Sequence, residues 1–152
     1  MKISLPDIST AVAALTPITG RMEAYFQENR PTTVVDYAHT PDALKNAIQA
    51  CRLHCDGQLW VVFGCGGDRD NGKRALMGEI AEQWADRIVI TNDNPRTEKP
   101  QSIINDILSG IENTDDITIV LDREEAVQQT IKLANADDVV LLAGKGHENY
   151  IV

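Results

Sequence analysis

The feature that most constrains the fold of this chain is a regular alternation of two hydrophobic periods from about residue 32 onward. Near-continuous apolar runs occur at Thr32-Thr33-Val34-Val35, Leu59-Trp60-Val61-Val62-Phe63, Ile88-Val89-Ile90, Ile117-Thr118-Ile119-Val120-Leu121 and Val139-Val140-Leu141-Leu142-Ala143. Runs this short and β-branched read as strands buried on both faces. Between them the apolar residues recur at helical spacing. Leu44, Ile48, Cys51 and Cys55 share a face in the stretch from Pro41 to Cys55. Leu76, Met77, Ile80, Ala81 and Trp84 mark a second helix, and Ile103, Ile104, Ile107, Leu108 and Ile111 a third. A fourth helix is expected around Glu124 to Ala134. Strands alternating with helices give an α/β fold: a doubly wound, mostly parallel open sheet with helices on both faces.

The first thirty residues differ in character. Asp7 to Leu15 reads as a short helix stopped by Pro17, followed by an edge strand at Arg21-Met22-Glu23-Ala24-Tyr25-Phe26. Asn149-Tyr150-Ile151-Val152 reads as the start of a further strand, so the chain has the look of an excised fragment. At 152 residues it is one domain in size, and its net charge of -9 argues against nucleic acid or an anionic membrane as partner. No apolar stretch has the length of a membrane span, and the first residues lack a signal-peptide core, so a cytoplasmic location is expected. Cys51, Cys55 and Cys65 form no disulfide framework. Cys51, His54 and Cys55 lack the partner set of a closed zinc site, so these cysteines read as small core residues and no metal site is expected.

In a parallel sheet all loops after the strands lie on one rim, where ligands bind. Those loops are Asp36-Tyr37-Ala38-His39-Thr40-Pro41, Gly64-Cys65-Gly66-Gly67-Asp68-Arg69-Asp70, Asp93-Asn94-Pro95-Arg96, Asp122-Arg123-Glu124 and Gly144-Lys145-Gly146-His147-Glu148. All but the fourth carry groups that a plain connector does not require. The opposite rim, with turns such as Cys55-Asp56-Gly57-Gln58, is blander. Asp93-Asn94-Pro95-Arg96 presents a carboxylate, an amide and a guanidinium together: Asp93 suits a ligand ammonium, and Arg96 a carboxylate in bidentate fashion. Glu148 is a second carboxylate for a ligand ammonium, whereas Lys145 and His147 read as plain loop residues.

The glycine loop invites two other readings. Carboxylates Asp68 and Asp70 stand where a dinucleotide pyrophosphate would approach. Gly67 to Arg74 nearly spells a P-loop, but Arg74 replaces the Ser or Thr that would hold magnesium. The glycines are therefore expected to allow a tight turn, with Arg69 projected into the rim. No nucleophile sits on a recognisable elbow, and no catalytic triad is evident.

Taken together and in order, four segments resemble the C-terminal domain of the Mur ligases of bacterial cell-wall synthesis. They are Asp36-Tyr37-Ala38-His39-Thr40-Pro41-Asp42-Ala43, Phe63-Gly64-Cys65-Gly66-Gly67-Asp68-Arg69-Asp70, Asp93-Asn94-Pro95-Arg96 and Ala143-Gly144-Lys145-Gly146-His147-Glu148. Within that family they look most like the members that add meso-diaminopimelate to UDP-N-acetylmuramoyl-L-alanyl-D-glutamate (UDP-MurNAc-L-Ala-D-Glu). The resemblance implies a Rossmann-like domain over residues 20–152, truncated at its C-terminus, with residues 1–19 a linker from a central ATPase domain. It implies ATP-dependent amide formation through an acyl phosphate in the bacterial cytoplasm, with ATP and Mg held mainly by that central domain. The domain alone is then expected to be inactive, with no catalytic residue of its own. The resemblance assigns meso-diaminopimelate contacts to Arg69, Asp93, Asn94, Pro95, Arg96, Gly144 and Glu148, and nucleotide-facing places to Arg21, Asp36, Tyr37 and His39. A free-standing amino-acid-binding or regulatory module is the alternative. A nucleotide-dependent oxidoreductase would rest on the fold and the glycine loop alone.

Overall fold

A computed structural model describes residue 4 and residues 18–146. Strands β1 (Glu23–Tyr25), β2 (Thr32–Asp36), β3 (Leu59–Phe63), β4 (Arg87–Ile90), β5 (Ile117–Ile119) and β6 (Val139–Ala143) form one sheet in the order β1-β2-β6-β3-β4-β5. β1 pairs antiparallel to β2, and the other neighbours are parallel. The helices are α1 (Pro41–Arg52), α2 (Gly72–Trp84), α3 (Pro100–Leu108) and α4 (Arg123–Leu133).

Crossover handedness explains where the helices lie. The chain steps from β2 to β3, β4 and β5 in one direction across the sheet, and a right-handed crossover puts α1, α2 and α3 on one face. The step from β5 back to β6 runs the other way, so α4 lands on the opposite face. Side-chain alternation follows suit. Val61 and Phe63 pack with Leu44, Ile48, Met77, Ile104 and Ile107 in the large core, while Val62, Val89 and Val140 pack with Ala126 on the α4 side. Phe63 and Leu141 are wholly buried, each worth about 1.5–3 kcal/mol of apolar transfer.

Local chemistry sets the helix starts. Pro41 opens α1 while Thr40 Oγ1 accepts from Ala43 N. Asp122 caps α4 by accepting from Glu125 N. Two expectations need correction. α2 begins a full turn before Leu76, and Leu76 is half exposed (50%), because the buried stripe runs Arg74, Met77, Gly78, Ala81 instead. The edge strands are also shorter than their apolar runs: β5 ends at Ile119, leaving Leu121 largely in solvent. The expected helix over Asp7 to Leu15, the strand start at Asn149, and His147 and Glu148 lie outside the described residues.

No helix among the described residues is long and apolar enough to cross a membrane.

Candidate functional site

Four of the five rim loops meet over the carboxyl ends of β2, β3, β4 and β6 and enclose an open cleft of about 440 Å³. That volume lies in the range of small-molecule sites. Tyr37, His39 and Thr40 line it from the loop after β2, and Gly66, Arg69 and Asp70 from the loop after β3. Lys73 joins from α2, Asp93, Asn94 and Arg96 from the loop after β4, and Gly144 from the loop after β6. In a chain of net charge -9, the lining holds three cations and two carboxylates. An acidic ligand is favoured there over the rest of the surface.

Arg96 sits at φ 50°, a left-handed conformation that folds its side chain back over its own loop. Its Nη1 donates to Gly67 O (2.7 Å) and more loosely to Asn94 O (3.4 Å). The Nε–Nη2 edge, the one suited to a bidentate carboxylate contact, makes no hydrogen bond among the described residues. Arg69 is exposed on the cleft and makes no hydrogen bond among the described residues. Pro95 does not line the cleft; it braces the loop from below, its carbonyl accepting from Glu98 N (3.0 Å).

Asp93 is nearly buried, and its Oδ1 accepts from Asn94 N (2.7 Å). Lys145, only 7% exposed, places its Nζ 3.1 Å from Asn94 Oδ1 and 4.0 Å from Asp93 Oδ1. Gly144 at φ 100° turns the chain so that its backbone comes up against Asp93 Oδ2, where a Cβ would crowd the carboxylate. Behind this group, Arg123 donates from Nη2 to Ala143 O (2.8 Å). Its Nη1 is buried with no hydrogen-bond partner among the described residues. Burial pushes the Arg123 guanidinium down from its ordinary pKa, and the Asp93 carboxylate works against that shift. Two cations thus stand around Asp93. Neither was singled out from the sequence: Lys145 read as a loop residue, and Asp122-Arg123-Glu124 as the one rim loop with nothing beyond the needs of a plain connector. The available signal for Lys145 was its setting between Gly144 and Gly146, which lets neighbouring backbone close over it; an added Cβ at Gly146 would meet Gly20 O at 2.8 Å.

The residues expected to face a nucleotide form a second cluster at one end of the cleft. The Arg21 guanidinium lies 4.6 Å from the Tyr37 ring centre, and Tyr37 meets His39 edge to face at 4.9 Å. Asp36 is turned into its own surroundings: Oδ2 accepts from Met22 N and Oδ1 from Ala38 N, both at 2.8 Å. Tyr37 and His39 line the cleft, whereas Asp36 shapes the loop that presents them. The start of α2 is not a phosphate cradle, since Asp70 Oδ1 takes Gly72 N (2.9 Å) and Lys73 Nζ goes to His39 O (2.9 Å).

Cys51 and Cys65 are buried in the core, and burial pushes their thiols up to about 12 and about 11. They stay protonated at neutral pH and are poor nucleophiles.

The loops after β3 and β4 are laced together. Gly67 N donates to Asn94 O (2.8 Å), and Asp68, at φ 53°, accepts from Thr97 N (3.1 Å) and Thr97 Oγ1 (2.7 Å). Glu98 accepts from Asp68 N (2.6 Å) and from both Nη atoms of Arg74 (2.8 and 2.9 Å). The Arg74 hydrogen bonds and the Asp68 N–H hold the Glu98 carboxyl down to about 2, from an ordinary value of 4.5. A lowered folded-state pKa contributes stability that is fully present above the unfolded value and lost as pH falls toward the folded one. Stability is therefore expected to fall between about pH 4.5 and 2, and Glu98→Gln to flatten that part of a Tm-against-pH curve. Asp68, Glu82 and Asp138, also lowered by hydrogen bonds, account for a residual slope. An unchanged acid limb in Glu98→Gln would contradict the assignment.

The family model described as "Mur ligase, glutamate ligase domain" matches residues 20–146. The chain belongs to this family. A solved structure of a UDP-N-acetylmuramoyl-L-alanyl-D-glutamate–2,6-diaminopimelate ligase matches with a TM-score of 0.82 and 43% identity, over 98% of this chain and 31% of that one. A bifunctional folylpolyglutamate synthase/dihydrofolate synthase from Yersinia pestis matches with a TM-score of 0.70 and 20% identity, over 95% of this chain and 32% of that one. The folylpolyglutamate synthase of Thermotoga maritima matches with a TM-score of 0.65 and 18% identity, over 95% and 32%. The last two share the fold. This Mur ligase domain spans about a third of the length of these relatives. Its α/β sheet is the one expected of the family, and the family's ligases are ATP-dependent as a class.

Proposed function

We propose that this Mur ligase domain binds and orients meso-diaminopimelate for addition to UDP-MurNAc-L-Ala-D-Glu. The observation that carries the reading is the convergence of Arg69, Arg96, Asp93 and Asn94 on one cleft of cationic balance. The Nε–Nη2 edge of Arg96 takes the carboxylate at the far end of the diamino acid. Arg69 supplies a second cation, and the Asp93 carboxylate takes the neighbouring ammonium, with Glu148 as a further carboxylate for the ligand. ATP, with Mg, would supply the activation of the acceptor carboxylate. The residues of this chain hold the incoming amine in place, which can supply several kcal/mol of the barrier by proximity alone. Tyr37, His39 and the Arg21 guanidinium form an aromatic and cationic surface fit for a nucleotide at the other end of the cleft.

Calorimetric titration with meso-diaminopimelate and L-lysine tests the reading. Lysine lacks the far carboxylate, so Arg96 is left unpaired and an affinity roughly 10-fold or more below that for meso-diaminopimelate is expected. Equal affinities, or preference for lysine, would overturn it.

A further inference from the structure

Arg74 is the side chain that spoiled the P-loop pattern, and the structure gives it a different task. It occupies the apolar stripe of α2 with Met77 and Ala81, and its side chain is 0% exposed. Nη1 donates to Glu98 Oε2 (2.9 Å) and Asp106 Oδ2 (2.8 Å), and Nη2 to Glu98 Oε1 (2.8 Å) and Gly66 O (3.2 Å). Its Nε is buried without a partner among the described residues. A buried guanidinium with an unsatisfied N–H and partly exposed carboxylate partners is a poor way to stabilise a helix face, where an apolar side chain often does as well or better. The bonds that distinguish Arg74 from such a side chain go to the two loops that carry the ligand-facing arginines. Gly66 stands three residues before Arg69, and Glu98 two residues after Arg96. Through Glu98 the link continues to Asp68 N, and through Asp68 to Thr97.

We propose that Arg74 is a positioning residue that holds the loops 64–70 and 93–98 as one rigid unit. It thereby sets the spacing of Arg69 and Arg96 without touching the ligand. The selectivity part of this inference rests on the cleft being the meso-diaminopimelate site; the clamp itself does not. Lysine at this position keeps the charge but cannot span Glu98, Asp106 and Gly66 O with one ammonium.

Amide hydrogen exchange and titration of the full chain provide the test. In Arg74→Lys, protection at Gly67, Asp68 and Thr97 is expected to fall roughly 10-fold or more, while Val62 and Val89 in the sheet keep theirs. The preference for meso-diaminopimelate over lysine should fall roughly 5- to 10-fold in parallel. Asp106→Asn removes only the negative charge that α3 offers Arg74 and is expected to lower Tm while leaving loop protection and preference intact. If Arg74→Lys does not fold, Glu98→Gln breaks the same link at a side chain that keeps 23% exposure. Uniform loss of protection across sheet and loops, or the same loop loss in Asp106→Asn, would reduce Arg74 to a stability residue and overturn the clamp. So would unchanged protection and preference in the variants. Loosened loops in a wild-type background that shows no amino-acid preference would instead remove the substrate reading and leave the clamp standing.

Discussion

Arg96→Ala is expected to lower the affinity for meso-diaminopimelate ~10- to 100-fold, about 1.4–2.7 kcal/mol, the scale of losing hydrogen bonds to a charged group. The affinity for lysine should hardly move, so the ratio between the two amino acids collapses toward one. The asymmetry follows from what each ligand offers. Only meso-diaminopimelate carries a second carboxylate for the Nε–Nη2 edge, and alanine removes that edge while lysine never used it. Arg96 is an exposed loop residue whose protein contacts are two bonds from Nη1 to carbonyl oxygens. Truncation should therefore leave stability within about 1 kcal/mol of wild type. Arg96→Lys is expected to recover only part of the affinity, because an ammonium cannot make the bidentate contact. Paired titrations with the two amino acids check the ratio. An Arg96→Ala variant that loses affinity for both equally would place Arg96 outside the selective contact.

The parts of this molecule legible in the sequence are those where one physical requirement dominates. β3 and β6 lie in the interior of a parallel sheet, so both faces need apolar side chains, and their ends match the apolar runs residue for residue. β5 is an edge strand with Ile119 and Leu121 largely exposed. Its apolar run continued past the point where pairing stops. The face of α2 was misplaced for a related reason. Leu76 looked like a core residue and Arg74 figured only as a mismatch to the P-loop, but Arg74 reaches from the helix to Glu98 and Gly66 O. A buried charge has no signature in hydrophobic periodicity. The same holds for Lys145, whose burial depends on loops far apart in sequence closing around Asp93, and for the half-buried Arg123 with its buried Nη1. The four-loop rim itself was legible, because chemistry-bearing residues were concentrated after the strands, while the turns before them were blander.

Gly67→Ala is expected to damage both the fold and the cleft, the former by about 1–3 kcal/mol as an overpacked site. An added Cβ at Gly67 would overlap the Pro95 carbonyl oxygen, which belongs to backbone and cannot swing aside. The loops after β3 and β4 would have to part. That movement breaks Gly67 N to Asn94 O (2.8 Å) and Arg96 Nη1 to Gly67 O (2.7 Å), the two bonds that set Arg96 against the glycine loop. Loss of meso-diaminopimelate affinity by roughly 10-fold or more should therefore accompany a fall in Tm of a few degrees per kcal/mol. Gly72→Ala is the matched control. Its added Cβ would meet only the Asp70 side-chain Oδ1, at 3.2 Å, and it lies at the start of a helix where alanine is welcome. Near-wild-type stability and affinity are expected there. Thermal denaturation and titration of the two variants side by side separate a specific loop contact from general glycine removal. If both variants keep the affinity, the close approach of Gly67 to Pro95 has no part in shaping the site. If both lose it alike, the defect is one of general glycine removal rather than of the contact between the loops.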